Sequence, residues 1–266
     1  LQFLGQPYLD VHGTGSRPVA DLSPIAALTN LTTLNCRGTQ VADLAPITAL
    51  TNLTRLSCSD TPVADLSPIA ALTNLISLDC WGTQVADLAP ITALTNLTSL
   101  SCWGTQVADL APIAALTSLT SLDCSRTQVA DLAPITALTN LTSLSCWGTQ
   151  VADLAPIAAL TSLTSLDCSR TQVADLAPIG ALGSLECLFL ADLIAERLDL
   201  SCLHGRRIRE LVLLGSPGAG SVPRLAEYQI DPDGTVHGPD HGASFEFGRY
   251  AQIARERAEQ GRSRRA

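Results

Sequence analysis

One unit of 22 residues, written eight times in succession, governs this chain. The pattern VADLSPIAALTNLTTLNCRGTQ begins at Val19 and starts again at Val41, Val63, Val85, Val107, Val129, Val151 and Val173, so the array runs to Ile194. Residues 85–128 and 129–172 are identical letter for letter, two tandem copies of a 44-residue double unit. A unit this short cannot bury its own apolar face. Neighbouring units must therefore stack into a one-dimensional array.

The residues inside a unit say how it stacks. Leu53, Leu56 and Cys58 alternate with polar residues, the mark of a strand with one buried face. Strands that recur once per unit have no partner within it, so they must pair between units as a parallel sheet. Each return segment begins Asp-Leu-Ser/Ala-Pro. The Pro suits the first turn of a helix, with Ser or Ala at the cap position before it. The apolar spacing that follows, as in Ile69 and Leu72, predicts a short α or 3₁₀ turn behind the sheet. The expected fold is an α/β solenoid, a curved parallel sheet on the concave face with short turns on the convex face.

Rephased as LxxLxCxxTxVxxLxPIxxL, the unit resembles the leucine-rich repeat, LxxLxLxxNxL, in the length typical of bacterial internalin-like proteins. Two positions depart from the family pattern: Cys replaces the third Leu of the strand, and Thr replaces the Asn. The resemblance implies a repeat protein that acts as a protein-binding scaffold. The ends are less regular. Leu9–Thr14 aligns with Leu34–Thr39, so residues 1–18 read as a degenerate repeat or cap, with sequence missing upstream as the other possibility. Eight repeats then occupy 19–194, a worn repeat and connector 195–222, and a C-terminal capping segment with an Arg-rich tail 223–266. Leu185–Leu190 and Ile208–Leu214 read as worn strands, Tyr228–Val236 as a hairpin or turn, and Phe245–Gln260 as a closing amphipathic helix.

Three ladders of identical residues invite chemical readings. Cys36, Cys58, Cys80, Cys102, Cys124, Cys146 and Cys168 occupy one unit position. Side chains that all point the same way from strands ~4.8 Å apart supply neither disulfide geometry nor converging zinc ligands, so a small apolar core residue is expected. The unpaired thiols point to a reducing, cytoplasmic compartment. Thr39 and its six counterparts are expected to bond backbone where the chain leaves the strand. Asp21 and its counterparts through Asp175 precede each Pro and read as Asx-type turns rather than a calcium array.

Chemistry that varies from unit to unit lies on the exposed strand positions. All three tryptophans, Trp81, Trp103 and Trp147, occupy one position outside the hydrophobic pattern, with Arg126 and Arg170 nearby and Asp79, Asp123 and Asp167 on the preceding strand residues. Exposed Trp beside Arg is the composition of a binding hot spot, so these eight residues are the candidate partner-binding site. No catalytic site is expected, since the duplicated region holds every side chain twice and a reaction centre needs unique groups. Elsewhere, the loop Gly215–Gly220 lacks the Lys of a phosphate loop, and Gly-Pro between His237 and His241 forbids the helix that would align them on a metal.

Composition narrows the remainder. With 46% hydrophobic and 15% charged residues the chain is not generally disordered, and no apolar run is long enough to span a membrane. The five Arg and sixteen acidic residues of 1–196 would repel nucleic acid. Neither cofactor nor metal is called for. The expectation is a non-enzymatic monomer that docks a protein partner on its concave face. A secreted effector or adhesin aimed at a host protein is one alternative; the substrate-selecting module of a larger enzyme is another. Lys is absent, which coding bias towards Arg explains ahead of a loss of ubiquitin attachment sites.

Overall fold

The computed structural model of the chain describes residues 7–11, 19–193, 201–203, 208–212, 229–230, 235–237 and 244–246. Ten strands form one parallel sheet in chain order. They are β1 (Tyr8–Asp10), β2 (Thr33–Asn35), β3 (Arg55–Ser57), β4 (Ser77–Asp79), β5 (Ser99–Ser101), β6 (Ser121–Asp123), β7 (Ser143–Ser145), β8 (Ser165–Asp167), β9 (Cys187–Phe189) and β10 (Glu210–Val212). The register advances one unit per strand, so Leu34, Leu56, Leu78 and Leu100 stand side by side. The degenerate first repeat pairs in that register, Leu9 on Leu34, and the worn last strand pairs Leu211 on Leu188.

Strands of three residues are short, but the hydrogen-bonded ladder runs on past them. Cys80 donates its N–H to the Ser101 carbonyl at 2.9 Å, and Gly82 donates to Trp103 at 2.8 Å. The same pair of bonds recurs from unit to unit, as in Cys124 to Ser145 and Arg126 to Trp147. Adjacent backbones thus stay in register for two further contacts beyond each strand.

The return segments are 3₁₀ turns, η1 (Ser23–Ile25) through η8 (Ala177–Ala181), and none is α-helical. Each starts with Ser or Ala and has Pro near its start, and they reach only three to five residues before the chain turns back to the next strand. The Ser or Ala expected as the cap is instead the first residue of the turn, and Leu stands before it. The end is closed from one residue earlier. Asp131 Oδ1 accepts the Ala133 N–H at 2.7 Å, and the other seven aspartates of the ladder do the same. Ser and Ala stand inside the turn, and the N–H that the carboxylate accepts is their own, as in an Asx turn.

Sheet and turns enclose one continuous core. In a single unit Leu75, Leu78, Cys80, Val85, Leu88, Ile91 and Leu94 are all buried. The Thr ladder closes the strand exit: Thr105 donates to the Cys102 carbonyl at 2.6 Å and Thr127 to that of Cys124 at 2.6 Å. Two stitches between units were not foreseen. Thr120 donates to the Thr98 carbonyl at 3.0 Å, and Asn74 donates its amide to the Thr51 carbonyl at 2.9 Å.

Near the C-terminus the expected hairpin forms as β11 (Gln229–Ile230) and β12 (Thr235–His237), antiparallel. A third strand, β13 (Ser244–Glu246), pairs with β12. Phe245 therefore opens no helix: it lies in β13, opposite Val236. The rest of the proposed closing helix, Gly215–Gly220, His241 and the Arg-rich end lie outside the described residues.

Candidate functional site

Between each buried Cys and the buried Thr that follows lie two residues, and the second has a positive φ in every unit. Gly38, Gly82, Gly104 and Gly148 sit at 67–68°, Asp60 at 57°, Arg126 at 53° and Arg170 at 55°. The chain leaves the sheet here in a turn that needs the left-handed conformation, which Gly adopts freely and Asp tolerates. For Arg it costs about 1–2 kcal/mol.

The first residue of the pair answers the second. Each Trp precedes a Gly, as in Trp81-Gly82, Trp103-Gly104 and Trp147-Gly148. Each left-handed charged residue follows a small one, as in Ser59-Asp60, Ser125-Arg126 and Ser169-Arg170. Each pair thus presents one large or charged side chain along the edge of the sheet, at one position or the other, and Ser59, Ser125 and Ser169 are buried.

The result is one uninterrupted row. The Arg37 guanidinium lies 4.7 Å from the Trp81 ring centre. Trp81 meets Trp103 edge-on, centroids 5.4 Å apart at 73°. Arg126 sits between two indoles, 5.6 Å from Trp103 and 4.9 Å from Trp147. Arg170 covers Trp147 from the next unit at 5.4 Å and donates from Nε to Asp192 Oδ2 at 2.9 Å. An exposed cation–π contact is worth roughly 0.5–1 kcal/mol. For Arg126, two such contacts about offset its backbone cost and leave no surplus.

The candidate aspartates form a parallel row on the strand face, two residues earlier in each unit. Asp123 and Asp167 each turn Oδ1 to the backbone N–H two residues on, at 3.0 Å. Asp79 makes a longer version to Trp81 at 3.4 Å, and partial burial pushes its carboxyl above the usual range. The structure therefore brings all eight predicted residues to one side of the sheet, in two neighbouring rows. It changes the status of the tryptophans, which are half-buried rather than exposed, because Arg guanidinia lie on their faces. It also adds Arg37, which holds in its own unit the position the tryptophans hold in theirs.

The cysteine ladder is a core feature. The seven thiols are free and buried. Cys36, Cys80 and Cys124 point Sγ at the carbonyl of the next unit, at 3.3–3.4 Å. Burial raises every one of them, Cys36 to about 11 and Cys102 to about 12, so all seven are protonated thiols at neutral pH. Among the described residues, no group of three or more His, Cys, Asp or Glu is placed to hold a metal ion. None of the described helices is long and apolar enough to cross a membrane.

Comparison with known proteins locates this architecture. A family model described as leucine rich repeats (2 copies) matches residues 51–93, 95–137, 117–159 and 139–181. Among solved structures, an internalin (inlF) from Listeria monocytogenes is 29% identical with a TM-score of 0.71, over 79% of this chain and 62% of that one. An internalin C2 (inlC2) from the same species is 33% identical with a TM-score of 0.65, over 69% of this chain and 80% of that one. The functional domain of InlJ from Listeria monocytogenes, described as including a cysteine ladder, superposes with a TM-score of 0.60 at 22% identity, over 78% of this chain and 53% of that one, a likeness of fold alone. The chain thus spans less than two thirds of the inlF and InlJ chains. No curated protein sequence matches it.

Proposed function

This chain belongs to the bacterial internalin-like leucine-rich-repeat proteins, and from that membership we propose that it is a non-enzymatic scaffold that docks a protein partner on the open face of its sheet. The observation that supports this most is the row from Arg37 to Asp192, in which three half-exposed tryptophans are held by stacked arginines. Trp and Arg are the side chains that dominate protein interfaces, and here their rotamers are fixed before a partner arrives, which lowers the entropy cost of docking. Trp81, Trp103, Trp147, Arg126 and Arg170 form the anchor row, with Asp79, Asp123 and Asp167 beside it.

Repetition supports a binding role over a catalytic one. Residues 85–172 present each side chain twice, which suits an extended partner and not a single reaction centre. The free thiols favour neither side of the membrane: closed to solvent and protonated, they are slow to react in any compartment. The reading is tested by capturing partners from lysate or host extract with the wild-type chain and with W81A/W103A/W147A. Loss of capture with the melting temperature little changed supports it. Unchanged capture would show that the tryptophans do not carry the docking, and an unfolded triple variant would show them to be structural.

A further inference from the structure

The row that carries the proposed function also says what shape of partner it fits, and this inference rests on that reading. Arg126 and Arg170 hold the left-handed conformation at positions where other units use Gly, yet their stacking returns no more than the backbone gives up. Arg170 keeps 52% of its side chain exposed even with Asp192 beside it. Backbone strain that local contacts only just offset at Arg126 points to a further partner for the guanidinium.

Spacing is the second observation. Trp103 and Trp147 lie two strands apart, as do Arg126 and Arg170. The backbone ladder persists at this edge, Gly104 N–H to Ser125 and Arg126 N–H to Trp147, so the strand spacing holds there. Two strands at ~4.8 Å make a period of about 9.6 Å along the edge. An extended β segment laid along it covers that distance in about three residues, which places successive matching side chains on opposite faces. A polyproline II segment covers about 9.3 Å in three residues and returns to the same face. Tryptophan-lined strips accept this conformation readily because it is already stiff.

We propose that the row is the docking strip for an acidic polyproline II segment of the protein partner, running across the strands with a carboxylate every third residue. Each carboxylate meets one of the guanidinia, Arg126 or Arg170, while the intervening prolines lie against the edges of Trp103 and Trp147. Asp123 and Asp167 of the neighbouring strand row each hold one carboxylate oxygen on backbone N–H, which fixes where their charge sits beside the strip.

The chain has only these three tryptophans, so its tryptophan emission, excited selectively over tyrosine, reports on this row alone. Titration of the full chain with (Pro-Pro-Glu)4 should shift that emission in a saturable way. The R126G/R170G variant, which places the residue best suited to a positive φ at both sites, should stay folded by circular dichroism and bind at least tenfold more weakly. Peptides (Pro-Pro-Lys)4 and (Pro-Glu)6 should bind at least tenfold more weakly to the wild type. Equal binding of the lysine peptide, undiminished binding by R126G/R170G, no binding of (Pro-Pro-Glu)4, or tighter binding of a helical peptide with Glu at every seventh residue overturns the proposal. If tryptophan-dependent capture survives while the acidic peptide fails, only this inference falls. If the peptide binds and capture fails, the scaffold reading falls instead.

Discussion

At the scale of single residues, small polar groups do the work that a larger family residue does elsewhere. Thr127 is buried and donates its hydroxyl to the Cys124 carbonyl at 2.6 Å, and Val129 N–H approaches the Thr127 hydroxyl oxygen at 3.5 Å. Thr127→Val keeps the shape and deletes the donor, leaving a buried carbonyl short of a partner. It should lower unfolding free energy by about 1–2 kcal/mol, read from the urea midpoint. The tryptophans and arginines are legible at this scale as a group, because they are the positions where copies of the unit differ. Their half-burial is not, since it depends on guanidinia arriving from other units.

At the scale of the element, each turn hangs on one carboxylate. Asp131 closes η6 (Ala133–Ala137) by accepting the Ala133 N–H. Asp131→Ala should cost about 1 kcal/mol, while Asp131→Asn, which keeps an acceptor, should cost much less; thermal denaturation of the two variants separates them. The hydrogen bonds hold the Asp21 and Asp65 carboxyls below their ordinary value of 3.8. A depressed carboxyl favours the folded state above the unfolded value, so these contributions fade as pH falls below about 4. The sequence marked the start of every turn through Asp-Leu-x-Pro. It left α and 3₁₀ open, because three to five residues are too few for apolar spacing to distinguish them.

At the scale of the whole molecule, identical units make the array extendable and make its faults collective. Deleting residues 85–128 joins Gln84 to Val129, a junction that six of the seven boundaries between units already have, so the register survives. The shortened chain should fold cooperatively with a smaller urea slope and lower melting temperature. The thiol ladder predicts lability to alkali. Burial raises the folded thiols above their ordinary 9.0, so above that pH the unfolded chain releases protons that the folded chain keeps. Stability is thus full below pH 9 and falls above it. Each of the seven thiols adds to that loss until its own folded value is reached, about 11 for Cys36 and about 12 for Cys102. No lysine titrates in that window, so urea midpoints at pH 8 and pH 10 read the thiols with only three tyrosines and the two less buried cysteines beside them. A flat profile would mean the thiols are not held in the core.

What the sequence determined alone was everything that repetition multiplies. Strand, parallel pairing, buried Cys, bonding Thr and turn-closing Asp follow from one unit and the need to stack it, because the same short-range pattern is stated eight times. What the tertiary structure decided was everything that lies between units. Arg37 reaches Trp81 from two strands away, Arg126 lies between indoles of the units on either side, and Asn74 stitches back to Thr51. Those partners are about one or two repeats apart in the chain, and only the stacking brings them within contact. Position in the unit fixes where a side chain starts. Which neighbour it meets depends on the conformation of the linking turn, and at Arg126 and Arg170 that turn is left-handed.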